Sequence, residues 1–191
     1  MNYLPVETKE QILLSLREPK DIYQACTTSR EHLSICSEEG FWRERFRRER
    51  MQPLEKGKDF ADWLRIYEKS LDSVRIANKL IDSGEKINID MALVTNPRVL
   101  RLFRSDTKMM DFWYYAEKKE KKEGIDTHIY YIRIVPYSEP GLYVCYLRYD
   151  VSQTDGNYSS VVPVSVILGA VLTERDLQVL LYRLAYFDYP F

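Results

Sequence analysis

The spacing of apolar residues changes character along this chain. Near the N-terminus, Val6, Ile12, Leu13 and Leu16 recur at roughly helical intervals, with Pro5 suited to a first helical turn. Pro19 interrupts, and Asp21, Ile22, Ala25 and Cys26 predict a second short helix. Thr28 with Glu31 has capping-box spacing ahead of Leu33. Ser37 is placed to cap a helix carrying Phe41, Trp42 and Phe46. A polar break from Pro53 to Lys58 follows, and then Phe60, Trp63, Leu64 and Tyr67 lie at i, i+3, i+4 and i+7. That is the stripe of a helix lying on a core. Residues 4–70 therefore read as a compact helical bundle, with a soft boundary near residue 70.

Helical spacing continues into the middle. Asp72 or Ser73 caps a helix that ends before Gly84, and Asn96-Pro97 marks another start. Asp106 opens a helix whose Met109, Phe112, Trp113 and Ala116 share a face and which runs out through Glu117–Glu123 to Gly124. Beyond it the period becomes two. His128–Val135 and Leu142–Val151 are rich in Tyr, Ile and Val and predict an antiparallel hairpin with a loop of five or six residues. Gln153–Ser160 reads as a polar loop. Val161–Leu168 reads as a third strand, in which Pro163 favours an edge or a bulge. Thr173 and Asp176 cap a last helix with Leu177, Leu180, Leu181 and Leu184 as its stripe. The predicted class is α+β. A helical module spans residues 1–70, and a mixed module spans 71–191, with helices over 71–123 and about three antiparallel strands and a final helix over 128–187.

Composition narrows the function classes. The chain has 191 residues and a formal charge of −1, so no global basic excess marks a nucleic-acid binder. A local cluster exists at Arg43, Arg45, Arg47, Arg48 and Arg50, but the interleaved Glu44 and Glu49 predict a solvated face laced with salt bridges. The cysteines Cys26, Cys36 and Cys145 are odd in number and widely spaced. They predict neither a disulfide framework nor a zinc ribbon, and they suit a reducing, intracellular setting, cytoplasmic or nuclear. No stretch reaches the roughly 20 apolar residues of a membrane helix, and no signal peptide is recognisable. With two histidines, seven glycines and no H-x-x-x-H, C-x-x-C, G-x-S-x-G or phosphate-loop pattern, the sequence points away from an enzyme, and it implies no cofactor and no metal. Twelve of the fifteen tyrosines lie beyond residue 110, a distribution suited both to sheet packing and to interfaces.

The order Leu4-Pro5-x-Glu7, Ile12-Leu13, Leu16, Asp21-Ile22, Cys26, Leu33 and Phe41-Trp42-Arg43 with Phe46 resembles the F-box family. The Phe-Trp-Arg ending, the arginine-rich stretch and the later Trp63 look especially like F-box-like proteins encoded by large DNA viruses, which would make a virion one location. Thr8 and Ser34 depart from the family pattern, which usually has hydrophobic residues there. The resemblance implies protein binding. Family members dock their first helices on the small Skp1-type adaptor of cullin-based ubiquitin ligases, and the remainder recruits a substrate. Carried onto this chain, the docking residues are Leu4, Pro5, Ile12, Leu13, Leu16 and Ile22, while Trp42 belongs to internal packing. The alternative is a structural or assembly protein that uses the same helices as scaffold. Leu177, Leu180, Leu181 and Leu184 are expected to pack on the sheet.

Overall fold

The structure, a computed structural model, describes residues 4–96, 99, 127–155 and 158–191. The helix expected after Asp106, with its charged run, and the Asn96-Pro97 helix start fall largely or wholly outside the described residues. The chain divides into two compact units, Met1–Asp72 and Ser73–Phe191.

The first unit is helical. It holds α1 (Val6–Ser15), α2 (Pro19–Thr27), α3 (Arg30–Ser37), α4 (Glu39–Arg48) and the first part of α5 (Phe60–Asp82). Its core collects Leu13, Leu14, Ile22, Ile35, Phe41, Trp42, Phe46, Phe60, Trp63 and Tyr67. Trp42 lies at the centre. Its ring stacks on Trp63 at 6.2 Å and 9° and meets Phe41 edge-on, and its indole N–H donates to the Cys36 carbonyl at 2.7 Å. A buried indole needs such an acceptor, because an unpaired N–H there would forfeit its hydration for nothing. On the Trp63 ring lies the backbone of Gly57. A Cβ at that position would come within 2.5 Å of Trp63 Cγ, so the close approach requires glycine.

Helix starts differ from expectation by about one residue. Ser29, not Thr28, caps α3, accepting from the His32 amide, while the Thr28 hydroxyl donates back to the Ala25 carbonyl at 2.7 Å. Ser37 likewise ends α3, donating to the Leu33 carbonyl, and α4 begins after Glu38. Small hydroxyl residues serve either end of a helix, so spacing alone misplaces the boundary. Asp72 and Ser73 start nothing. They lie inside α5, which continues to Asp82 because no glycine or proline interrupts Phe60–Asp82.

The cysteine reading is overturned. Cys26 on α2 and Cys36 on α3 form a disulfide, their Cα atoms 6.1 Å apart, within the range a disulfide spans. The connection between α2 and α3 folds one helix back against the other, which a separation of ten residues does not reveal. Cys145 is free and buried, and burial pushes its thiol pKa up to about 12.

The second unit is a four-stranded antiparallel sheet, in the order β1 (Ile87–Asp90), β2 (Thr127–Pro136), β3 (Leu142–Asp155), β4 (Tyr158–Thr173), with α6 (Glu174–Tyr186) following it. The class is α+β, as expected, but among the described residues there are four strands rather than about three. Ile87–Asp90, expected to lie in a helical stretch, pairs with Tyr131–Ile134. Four residues are too few to show a period, and their pairing partner lies more than forty residues away. Ile87 and Ile89 face the core in the same rows as Ile134 and Ile132, with Cys145 opposite Ile134. β2 and β3 form the expected hairpin, with Tyr137–Gly141 as a five-residue loop and Gly141 at a φ of +76°. The expected polar loop at 153–160 is mostly strand. Pairing continues to Asp155↔Tyr158, and Gly156 and Asn157 lie outside the described residues. Pro163 sits on β4, beside a register shift.

The final helix follows its sequence signals closely. Thr173 and Asp176 form a reciprocal capping box, and Leu177, Leu180, Leu181 and Leu184 are at most 1% exposed. The helix lies against β3 and β4, and Gln178 donates to Asn78 of α5 at 2.8 Å. The C-terminal residues close over β1, where the Asp90 amide donates to the Tyr189 hydroxyl at 2.6 Å.

Candidate protein-docking surface

One side of α1 carries exposed apolar residues, and the way α1 is held explains why. The Pro5 carbonyl accepts from the amides of Thr8 and Lys9 at 3.1 Å and starts the helix. Leu13 and Leu14 turn into the core. Lys9 reaches Glu31 on α3 at 2.6 Å, and Gln11 accepts from Arg48 on α4. The two flanks of α1 are thus tied to neighbours. Pro5, Thr8, Ile12 and Ser15 fall at i, i+3, i+7 and i+10, on the side that neither tie reaches. All four are exposed.

Of the six docking residues read from the sequence, Leu4, Pro5 and Ile12 lie at this surface, Leu4 being 48% exposed and Ile12 50%. Leu16 is half-buried at the end of α1. Leu13 and Ile22 are 2% and 0% exposed, so their side chains are spent on the core and offer nothing to a partner. Apolar residues at helical spacing give the stripe but not the side of it that is covered. Three further exposed apolar residues of this unit were not among the six, Val6 beside Pro5, Tyr23 on α2, and Leu33 on α3, which was expected on the covered side. Tyr23 stacks on Phe60 at 6.2 Å, so part of its surface is already engaged. The position of Val6 directly after Leu-Pro was the available signal.

Most of the arginine cluster is paired with acids. Arg47 and Arg48 both donate to Glu44 at 2.7–2.9 Å, which holds the Glu44 carboxyl down at a pKa of about 2. Glu39, held below the usual carboxylate range, pairs with Lys56 and Arg43. Arg45 is not a surface residue at all. It is 1% exposed, donates to the Leu14 carbonyl and the Tyr67 hydroxyl at 3.0 Å, and ties α4 to the C-terminal turn of α1 and to α5. A cation is favoured there, since the last carbonyls of a helix carry partial negative charge and lack partners. Arg43, Arg47 and Arg48 thus form the solvated, acid-paired face that the interleaved acids predict, whereas the buried Arg45 departs from it and braces the module.

The helical module thus has a closed aromatic core, is braced by Arg45 and exposes Leu4, Pro5 and Ile12. Residues 1–48 match the F-box-like family model. F-box domains are interaction modules, so the match supports a protein-interaction adaptor role for this part of the chain. The match ends at α4, whereas the core continues through Gly57 and Trp63 to Tyr67. No curated protein and no solved structure matches the chain. Among the described residues no helix is long and apolar enough to cross a membrane, and no three His, Cys, Asp or Glu side chains gather as metal ligands.

Proposed function

We propose that this protein is a substrate adaptor of a cullin-type ubiquitin ligase. Its F-box-like module docks on a Skp1-type adaptor through Leu4, Pro5 and Ile12, and the α+β unit recruits a protein substrate. The observation that supports this reading is the exposure of those three residues on a module whose motif residues Leu13, Ile22, Phe41, Trp42 and Phe46 are buried. A purely structural helix bundle has no use for a surface leucine, proline and isoleucine on the untied side of its first helix, because leaving them in water forgoes the stabilisation that burial brings.

Titration calorimetry of the full chain with a Skp1-type adaptor tests the reading. A stoichiometric complex is expected, and it should weaken at least tenfold in the double variant Leu4→Ala/Pro5→Ala, with the thermal midpoint nearly unchanged. Trp42→Ala should do the reverse, costing about 3–5 kcal/mol of stability, as for a buried large aromatic. Binding that ignores the Leu4/Pro5 change would sink the docking surface. No complex at all would favour the alternative, a structural or assembly protein in which the module is scaffold.

A further inference from the structure

The two edges of the sheet are built differently. β1 is four residues long, carries Asp90 and ends in a single 3-10 turn over Met91–Leu93. Short, charged, abruptly terminated strands are how natural sheets blunt an edge. β4 is the opposite case. It runs sixteen residues, and its sequence YSSVVPVSVILGAVLT contains no charged residue. At the chain's 30% charged content, about five would be expected in a stretch of that length. Among the described residues only β3 pairs with it. Register shifts fall in its earlier part, near Pro163, where a missing N–H already weakens any ladder. From Leu168 to Thr173, paired with Leu142–Leu147, the register is unbroken, and Val171 there is 62% exposed. Up to Leu172, such a segment offers a partner strand backbone N–H and C=O groups that no other strand among the described residues pairs, while the Thr173 amide at its end is already taken by Asp176.

We propose that β4 is a dimerisation edge. A second copy of this chain sets its own Leu168–Thr173 antiparallel to the first, and two four-stranded sheets become one of eight strands across a two-fold axis. The asymmetry of the edges selects this occupant. A sheet meant to grow without limit needs both edges open, whereas one open and one blunt edge gives a pair that closes, with only the short β1 strands left outside. A two-fold also brings each uncharged strand against its own copy, so no like charges meet. This surface belongs to the second unit and does not depend on adaptor docking by the first.

Sedimentation velocity of the full chain over a dilution series, with amide hydrogen exchange at both ends of the series, tests it. The expected result is a monomer–dimer equilibrium in which amides within Leu168–Thr173 exchange slowly in the dimer and faster on dilution. Val171→Lys should weaken the dimer at least tenfold with the circular dichroism retained, because lysine blunts an edge, while Val171→Thr should leave it intact. A monomer at every concentration overturns the proposal. So does a dimer whose β4 amides ignore dilution, which would place the interface elsewhere, and so does open-ended assembly. Protection of β4 that appears only when an extended peptide is added would assign the edge to a foreign partner and likewise overturn it. Should Val171→Lys unfold the protein, the exchange series decides alone.

Discussion

Trp63 is gripped from two sides, by the stacked ring of Trp42 and by the backbone of Gly57. Adding one methyl at Gly57 must displace an indole that has nowhere to go. Gly57→Ala is therefore expected to cost about 1–3 kcal/mol, the range for overpacking a filled core, measured as a shift in urea midpoint with unchanged slope. Wild-type stability would show that the 53–58 segment yields freely. Charge gives a second expectation at this scale. The Glu44 carboxyl, partly exposed, has its pKa lowered from 4.5 to about 2, first by the hydrogen bond from Arg47 and then by that from Arg48. The folded state thus binds this proton less readily than the unfolded state. Its stabilisation is complete above pH 4.5 and is lost as pH falls from there towards 2. Denaturation across that window should flatten in Glu44→Gln, by a small amount, since exposed pairs are weak. An unaltered pH profile in that variant would remove Glu44 from the account.

The final helix supplies four leucines to the core that the sheet cannot replace. Fully burying each is worth about 1.5–3 kcal/mol, so a chain ending at Thr173 should lose its sharp melt and aggregate. Light scattering and a thermal melt check this, and a monomeric, cooperatively melting truncation would show that the helix is a detachable appendage. This element was legible in advance because three local signals agreed: Thr173 with Asp176, the leucine spacing, and the end of the strand pattern. The hairpin was legible for similar reasons, from alternation on both sides of Pro140-Gly141. β1 was not, since four residues at Ile87–Asp90 take their conformation from Tyr131–Ile134 rather than from themselves. The docking surface was half legible. The order of motifs singled out Leu4, Pro5 and Ile12, which are exposed, together with Leu13 and Ile22, which have the same chemistry but are buried, and only the packing of the helices against one another separates the two sets. Arg45 was unreadable for the same reason, being one arginine in a run of five that happens to face inward.

At the scale of the molecule, the two compact units meet in sequence inside α5 rather than at a linker. The aromatic core of the first is complete by Tyr67 and Ser70. A fragment ending at Asp72 is therefore expected to melt cooperatively and to keep the near-ultraviolet dichroism of the Trp42–Trp63 pair. A fragment with helical content but no fixed aromatic signal would mean that the module borrows its order from the rest of the chain. The disulfide has a consequence of another kind. With Cys26 and Cys36 joined, the native protein offers a thiol-selective reagent a single target, Cys145, near the start of β3 and 3% exposed. With its pKa near 12, that thiol is almost entirely protonated, and it is out of reach until the strands part. The pace at which the reagent consumes it, set against the pace for an unprotected cysteine, counts openings of the sheet. The chain thus carries its own stopwatch for the second unit, already installed at the one position where ticking requires the sheet to come apart.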